Sequence, residues 1–465
     1  MEAGEGLIQW NRTDSQNQQF RFIESDSNYY RMMARHSGLV LDVYEFNEND
    51  GADIVQWQDG NTNNQQFRFE EVDNSGYVRI VNRLSNKALA PEQNSNALEA
   101  RITQYTPSFN TAQQWQLVEV DSYNPPGGEV GECGTTDAEV IVTGQPGNYL
   151  VNGTGVGGDF SFALQNAIRY LNPARSQPEM ISVRTSGDLG SNSISIPSNT
   201  IFESCGTINV GNVAGSGSIR LTGVQNVSIP HLKMTGSPYF GIELWGVDNI
   251  HLGQIDLRFS GGLGIRFQRD RASSRNVRMD HVYVSGTDNH GVETWNLDGL
   301  TIGTVIARNV ANAGLLLNNT INANIGLVDG DNVAAGTGYA TMRFANTAGR
   351  VGNNYPTNIY VDKVVSRGGG RGIFCVSQSG GIEINSIDLA NNGNNSALIE
   401  NCYNVKINGG TVNGGGEFRI AARDEFANTR DVTISNVQIN NTTAKECPRG
   451  DNVQWININV PIRGC

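Results

Sequence analysis

Two carboxylates, Glu243 and Glu293, lie in segments of the same form, in which a glycine begins and a tryptophan ends a run of five residues. The segment between them, 264–268, also begins with glycine and has Arg266 at the glutamate position. Two carboxylates are what acid–base hydrolysis of a glycosidic bond requires. An arginine can neutralise the carboxylate of a uronic acid, which makes the neighbouring C–H more acidic and prepares it for elimination. The spacing therefore points to chemistry on sugars, if one element brings the segments together.

A strand that recurs along the second part of the chain could bring these segments together. From about residue 180 onward, a small residue, an alternating strand, a polar turn and a second short strand return mostly every 23–27 residues. Strand-rich repeats of this length, with Asn and Gly in the turns, indicate a parallel β-helix. Leucine-rich repeats have a similar length, but their recurring LxxLxL pattern is missing here.

Alternation decides which side chains of these strands face away from the core. The residue after the glycine points inward, so the next residue and the one two further on point outward. Because coils stack about 4.8 Å apart, the two glutamates would stand roughly 9.6 Å apart with Arg266 between them. The outward row predicted in this way comprises Glu243, Trp245, Arg266, Gln268, Glu293, Trp295, Leu316, Asn318 and Arg343.

A lyase is the first function that fits this row. Arg266 or Arg343 would neutralise a uronate carboxylate, and the proton would pass to a base. His290 and Tyr339 are the candidate bases, since both adjoin the row.

A hydrolase and a purely structural solenoid also fit. In the hydrolase, Glu243 and Glu293 would be the general acid and base, because a gap of two coils is compatible with the roughly 6.5–9.5 Å of inverting enzymes. In the structural alternative, the row is a solvated ladder of ion pairs. Exposed tryptophans favour a sugar site, because sugars stack on aromatic rings. The predicted substrate-binding residues are Trp245, Gln268, Trp295 and Asn318.

These repeats, over roughly residues 135–465, resemble the pectin-lyase-like superfamily of right-handed parallel β-helices. That superfamily includes polysaccharide lyases, glycosidases, isomerases and non-enzymatic adhesion proteins, so the fold alone does not choose a reaction. The segment Asp288-Asn-His-Gly is similar to the G-H-G segment of polygalacturonases, but their Asp-Asp and R-I-K elements have no clear counterpart. Many lyases of this fold use a lysine, and the lysines of this part lie off the predicted row.

The resemblance implies a polysaccharide-degrading enzyme. We expect a polysaccharide lyase that cleaves a uronate-containing glycan of the alginate or pectin type by β-elimination. An inverting glycoside hydrolase is the alternative, and a non-catalytic glycan-binding adhesin is the second alternative.

The first part of the chain contains a threefold repeat. Its Gln-Gln-aromatic motifs end at Phe20, Phe67 and Trp115, which are 47 and 48 residues apart. Three units of this size can close a β-trefoil. The motifs resemble the Q-x-W signature of ricin-B-type lectins, or family 13 carbohydrate-binding modules, and we expect the three aromatic residues to be mostly core.

The same resemblance implies a shallow sugar site in the second unit. An Asp would accept from sugar hydroxyls, an aromatic ring would stack on the sugar, and amides would complete the bonds. The candidates are Asp42, Tyr44, Trp57, Asn64 and Gln65. The third unit has Leu89-Ala-Pro where the second has Leu41-Asp-Val, so it lacks the Asp. The first unit starts at Gly6, already inside its second half, so we expect the natural protein to extend upstream and to carry its export signal there.

Composition divides the chain at a Pro/Gly-rich stretch. We expect an all-β protein with a β-trefoil carbohydrate-binding module over 1–122, a linker over 123–134 and a parallel β-helix catalytic domain over 135–465. The helical spacing of apolar residues after Asp159 predicts one amphipathic helix that caps the solenoid.

Charge excludes some partners. The net charge is −13, and residues 1–125 carry 9 basic and 18 acidic residues, so most of the acidity belongs to the first module. Neither part has the basic excess of a nucleic-acid binder, and no apolar run is long enough to span a membrane. We expect a monomer whose partner is a polysaccharide.

The six cysteines form no CxxC pair of the kind that binds zinc. An even number without a metal pattern favours disulfides, with Cys375–Cys402 and Cys447–Cys465 as the expected local bridges, and disulfides favour a secreted protein. No cofactor is required by the sequence. The segment Asp329-Gly-Asp-Asn could hold Ca²⁺ or simply turn the chain.

Overall fold

The computed structural model of the chain describes residues 4–10, 18–26, 28–34, 37, 39–72, 77–108, 110–117, 133–134 and 137–465. Contacts within the chain divide it into two compact units, Met1–Glu129 and Val130–Cys465. The predicted linker over 123–134 lies outside the described residues except for its last two positions. No helix of the described ranges is long and apolar enough to cross a membrane.

The first unit is built from antiparallel strands. Isolated bridges Gly6–Val55, Ile8–Arg101 and Asp53–Thr103 join its three repeats. Phe67 is completely buried at the centre, and Phe20 and Trp115 pack against the same core, so the prediction of three core aromatic residues is confirmed. The strands are β1 (Phe20–Asp26), β2 (Tyr29–Ala34), β3 (Val40–Val43), β4 (Ile54–Trp57), β5 (Phe67–Glu71), β6 (Tyr77–Asn82), β7 (Ala88–Pro91), β8 (Ile102–Tyr105) and β9 (Trp115–Gln116).

The second unit is a parallel β-solenoid, which confirms the predicted fold class. It opens with β10 (Val140–Gln145), β11 (Asn148–Val151), β12 (Thr154–Gly157) and the helix α1 (Phe160–Tyr170). The coils follow with β13 (Glu179–Val183), β14 (Gly187–Gly190), β15 (Ile194–Ser195), β16 (Thr200–Ser204), β17 (Thr207–Val210), β18 (Gly217–Thr222), β19 (Gln225–Gly236), β20 (Phe240–Trp245), β21 (Asp248–Phe259), β22 (Leu263–Phe267), β23 (Ser274–Ser285), β24 (Val292–Thr294), β25 (Leu297–Arg308), β26 (Leu315–Leu317), β27 (Thr320–Asp331), β28 (Ala340–Phe344), β29 (Ile359–Arg367), β30 (Arg371–Val376), β31 (Gly380–Ala390), β32 (Asn395–Glu400), β33 (Tyr403–Ile407), β34 (Gly410–Asn413), β35 (Phe418–Ala421), β36 (Arg430–Ser435), β37 (Val437–Asn440), β38 (Ala444–Glu446), β39 (Asp451–Ile456) and β40 (Ile462–Arg463).

Two sheets form the walls of the solenoid. The 12-stranded sheet takes one short strand from each coil, in the order β15, β18, β20, β22, β24, β26, β28, β30, β32, β35, β38 and β40. We call it the short-strand sheet. The 19-stranded sheet contains the longer strands, such as β19, β21, β23 and β25, and is called the long-strand sheet.

Stacked apolar residues fill the interior between the sheets. On the short-strand sheet, Ile242, Ile265, Val292, Leu315 and Met342 follow one another in register. All five are buried, so the residue after each of the four aligned glycines points inward, and Met342, which follows Thr341, continues the column. Burial of such a continuous column is what makes the repeats mutually stabilising.

The helix α1 packs against β10, β11 and β12 at the beginning of the unit. Asp159 caps it, because its Oδ1 accepts a hydrogen bond from the Phe162 main-chain N–H at 2.8 Å. This agrees with the helix predicted from apolar spacing.

Asparagines hold several turns between coils. Asn226 and Asn249 have positive φ angles of 56° and 55°, a backbone conformation that Asn tolerates better than most residues. The Asn249 amide donates to Asn226 Oδ1 at 2.9 Å, and the Asn226 amide donates to Asn199 Oδ1 at 2.9 Å. These ladders keep successive coils in register.

Three disulfides lie in the second unit. Cys375–Cys402 and Cys447–Cys465 are the two pairs predicted from the sequence, and Cys133–Cys205 is the third.

Candidate functional site

The predicted row lies on the outer face of the short-strand sheet. Glu243 of β20 pairs with Arg266 of β22, which pairs with Glu293 of β24. Leu316 and Arg343 continue the row in β26 and β28. The repeat therefore placed these side chains on consecutive coils, although the printed sequence separates the first and last by a hundred residues.

The carboxylates of the row are not solvated. Glu243 is 4% and Glu293 is 5% exposed. This departs from the expectation of an open row. The physical reason is that neighbouring coils supply side chains that cover each carboxylate and bond to it.

Glu243 is fully engaged by donors. Its Oε2 accepts from Ser216 Oγ at 3.2 Å, the Gly217 main-chain N–H at 3.0 Å and Arg220 Nε at 3.1 Å. Its Oε1 accepts from Gln268 Nε2 at 2.9 Å. Burial alone would raise its pKa, but these hydrogen bonds and the Arg220 charge together hold the pKa of Glu243 below its usual value. Glu243 is therefore ionised and held in place by its hydrogen bonds, and the Gln268 amide is occupied in donating one of them.

Glu293 has two partners. Its Oε2 is paired with the Arg266 guanidinium, and its Oε1 accepts from the Trp295 indole N–H at 2.6 Å. Trp295 is half-buried and packs against the core, so only part of its ring is accessible for stacking on a sugar. Trp245 is also half-buried, with the Arg271 guanidinium 5.7 Å from its ring centroid.

His290 is buried beside this pair. Its Nδ1 accepts from the Ala313 main-chain N–H at 3.0 Å, so in the neutral ring the proton is on Nε2, which lies 4.0 Å from Glu293 Oε2. Burial, with smaller contributions from the charges of Arg343 and Arg266, lowers the pKa of His290 to about 4. A neutral imidazole whose one lone pair already accepts a hydrogen bond is a weak candidate for a base.

Arg343 lies next to both aromatic neighbours of the row. Its guanidinium is 4.4 Å from the Tyr339 ring centroid and 5.2 Å from that of Phe374, and the Tyr339 ring lies edge-on to His290 at 4.8 Å. No carboxylate among the described residues forms an ion pair with Arg343. Its Nε is buried without a hydrogen-bond partner, and burial lowers its pKa.

Arg371 is a second cation on this face that sequence reasoning missed. It lies 4.6 Å from the Phe374 ring centroid and donates to Asn395 Oδ1 at 3.2 Å, while one terminal nitrogen is buried without a partner. Burial lowers the pKa of Arg371. It immediately precedes an aligned glycine instead of following it, so the outward-row rule passes over it. Two partly buried arginines without ion pairs among the described residues could bind an anion at this end of the row.

Asn318 is the remaining predicted substrate-binding residue. It is buried, and its Nδ2 has no hydrogen-bond partner. Like the arginine nitrogens, this donor is available to a bound group.

The predicted sugar residues of the first unit fall into two groups. Tyr44 and Trp57 are 41% and 40% exposed, with ring centroids 6.1 Å apart. Asp42, Asn64 and Gln65 are buried behind them. Gln65 Nε2 donates to Asp42 Oδ2 at 2.8 Å, and burial raises the pKa of Asp42 while these amides lower it. The rings are thus the accessible part of the set.

Two places could be considered for a metal. Asp329 is bonded to Arg308 at 2.9 Å, so one acid of the predicted Ca²⁺ segment is already neutralised. Cys133, Glu203 and His231 approach one another within 4.8 Å. Cys133, however, is bonded to Cys205, and a disulfide sulfur is not the thiolate that a metal requires.

Comparisons with known proteins concern both units. Residues 2–57 and 63–124 match the family described as ricin-type beta-trefoil lectin domain-like. None of the curated proteins compared with the chain matches it.

The designed threefold-symmetric protein ThreeFoil is similar at 37% identity and a TM-score of 0.24, with 25% of this chain and 84% of that chain covered. An exo-β-1,3-galactanase from Clostridium thermocellum is similar at 27% identity and a TM-score of 0.24, with 24% of each chain covered. The A-module of a mannuronan C-5 epimerase from Azotobacter vinelandii is similar at 10% identity and a TM-score of 0.42, with 66% of this chain and 93% of that chain covered. The family match identifies the first unit as a ricin-type β-trefoil lectin-like domain.

Proposed function

We propose that the chain is a carbohydrate-active enzyme whose solenoid cleaves a uronate-containing polysaccharide by β-elimination, while its lectin-like domain holds the enzyme on a glycan. The observation that carries the proposal is Arg343, a partly buried cation with no ion pair among the described residues and with a buried, unbonded Nε. A cation held in this way favours a ligand that brings a carboxylate, because a bound anion would satisfy both its charge and its donor.

The chemistry would proceed as follows. Arg343 binds the uronate carboxylate and stabilises the negative charge that spreads onto it when the C5 proton leaves. Tyr339, beside Arg343, would act as a phenolate base that takes this proton and returns it to the leaving O4 as the C4–O bond breaks, which gives an unsaturated uronate and a free hydroxyl. Arg371 binds the carboxylate of a neighbouring sugar. We assign the proton to Tyr339 and not to His290, whose Nδ1 lone pair accepts from the main chain.

Glu243 weighs against the hydrolase. A general acid must be protonated near the working pH, yet four donors and the Arg220 charge hold Glu243 ionised. Glu293 is paired with Arg266 through Oε2 and accepts from Trp295 through Oε1, so both of its oxygens already have partners.

Secretion is part of the proposal. Three disulfides suit an oxidising compartment, and a glycan-binding domain suits a polysaccharide outside the cell.

The test is incubation with alginate, pectate and a neutral glucan, with reducing ends and the ultraviolet absorbance of unsaturated uronate followed together. We expect both signals to rise on a polyuronate and neither on the glucan. New reducing ends without absorbance would replace the lyase with a hydrolase. Binding of a polyuronate without either signal would replace it with an adhesin.

A further inference from the structure

A serine, a histidine and an aspartate form a hydrogen-bonded chain on the long-strand sheet, away from the row. Ser228 of β19 pairs in register with His251 of β21. The Ser228 Oγ lies 2.9 Å from His251 Nδ1, and His251 Nε2 lies 2.7 Å from Asp280 Oδ2 in β23. The three residues come from three consecutive coils.

The chain of bonds fixes the direction of proton transfer. Asp280 is buried and its other oxygen accepts from Arg278 Nε, so we assign the proton between His251 Nε2 and Asp280 Oδ2 to the imidazole nitrogen. The other nitrogen, Nδ1, is then unprotonated and accepts from the Ser228 hydroxyl. The order of nucleophile, base and orienting acid is that of a serine triad, with the roles of the two ring nitrogens exchanged.

The surroundings keep the set both rigid and accessible. Arg278 Nε donates to Asp280 Oδ1 at 2.8 Å, which fixes the second oxygen of the carboxylate. Ser228 and His251 are only half-buried. A nucleophile has to be reached by its substrate, and an orienting acid works best when it is shielded from water.

The solenoid does not need these groups in order to fold. In later coils, the position of His251 is taken by Thr301 and Asn324. Asp280 lies between Met279 and His281, and the residues between the partners of these two in later coils are Gly303 and Gly326. The fold therefore builds the same coil from quite different residues.

We propose that Ser228 is the nucleophile of a second active site, which hydrolyses carboxylic esters. The Ser228 oxygen attacks the ester carbonyl while His251 takes its proton, and the C–O bond to the alcohol breaks as His251 returns the proton to the leaving oxygen. Water, activated by the same imidazole, then releases the acid and regenerates the serine. An O-acyl group on a sugar hydroxyl is the expected substrate, and only this sugar part depends on the proposed function.

The test uses the full chain and a fluorophosphonate probe, with the labelled peptide identified by mass spectrometry. We expect labelling at Ser228 in the wild type and none in Ser228→Ala. Ser435→Ala is the matched control, since Ser435 is another half-buried serine of this sheet, but its Oγ bonds to the Ile407 main-chain oxygen at 3.3 Å. It should label like the wild type.

His251→Asn provides the second measurement, because loss of the base should slow labelling and p-nitrophenyl acetate hydrolysis about 10²-fold or more. An unlabelled wild type, or equal labelling rates in wild type and His251→Asn, would overturn the proposal. Arg343→Met should leave labelling unchanged, so failure of the esterase and failure of the lyase are observed separately.

Discussion

Replacing Arg343 by methionine separates a functional cation from a structural one, because the two roles predict opposite results for stability and activity. The substitution keeps most of the side-chain volume and removes the guanidinium. Contacts with Tyr339 and Phe374 at 4.4 and 5.2 Å are lost, at a cost of about 0.5–2 kcal/mol. The buried Nε without a partner is lost too, which relieves about 1–3 kcal/mol. These contributions offset each other, so we expect the free energy of unfolding to change by about 1 kcal/mol or less.

Activity should respond differently. If Arg343 neutralises the uronate in the transition state, its removal costs about 3 kcal/mol of stabilisation, or about a 10²-fold loss of kcat/KM. Arg343→Lys retains the charge but not the planar fork, so we expect an intermediate loss of about tenfold. The assay is the initial rate of unsaturated-uronate formation, measured beside a thermal melt.

Arg367→Met is the matched control, because Arg367 is paired with Asp388 on the long-strand sheet, away from the row. Its kcat/KM should equal that of the wild type. An Arg343→Met protein that melts much lower and cleaves the polyuronate normally would refute the reasoning, since the guanidinium would then be structural.

Three other predictions concern different parts of the molecule. Because the pKa of His290 is about 4 instead of 6.5, the unfolded chain binds this proton first as the pH falls. The stability contributed by the neutral ring is thus complete above pH 6.5 and is lost as the pH falls to about 4. Between these two pH values, the free energy of unfolding measured by urea denaturation should fall by about 3 kcal/mol more in the wild type than in His290→Gln. Trp57→Ala should weaken retention on an immobilised glycan without a change in melting temperature, whereas Tyr77→Ala, which removes another exposed ring of the same unit, should not; equal retention by both would exclude Trp57 from the site. Replacing Cys375 and Cys402 together by alanine should lower the free energy of unfolding by about 3.5 kcal/mol, because their bridge closes a loop of 27 residues; an unchanged denaturation midpoint would contradict this.

The fold could be predicted from the sequence because two repeats are visible in it: the alternation of inward and outward residues along a strand, and the return of a glycine in each coil. Alternation along each strand and the return of a glycine every coil placed Ile242, Ile265 and Val292 in one inward column, as the structure has them. The same rule placed Arg343 on the row despite insertions before it. The Gln-Gln-aromatic repeat worked equally well, because Phe67 is needed at the centre of the trefoil.

Burial of the row could not be predicted in this way. Whether an outward side chain meets water depends on the turns and on the coils above and below. Glu243 is covered by Ser216 and Gln268, which come from the coils on either side of it. Arg371 was missed for a related reason. It precedes Gly372, and the alternation rule was applied only to residues that follow the glycine.

Glu243 and Glu293 illustrate the limit most clearly, since their own segments are nearly the same and their hydrogen-bond partners are not. Glu243 receives four hydrogen bonds, one of them from a main-chain N–H, and is held ionised. Glu293 meets one guanidinium and one indole, and its remaining neighbour His290 is held neutral. A carboxylate whose pKa is lowered, as that of Glu243 is, can position other groups but has no proton to give near neutral pH. The proposed elimination therefore depends on Arg343, one of two arginines of this face without a carboxylate partner among the described residues, and not on the pair of acids that the sequence makes most visible.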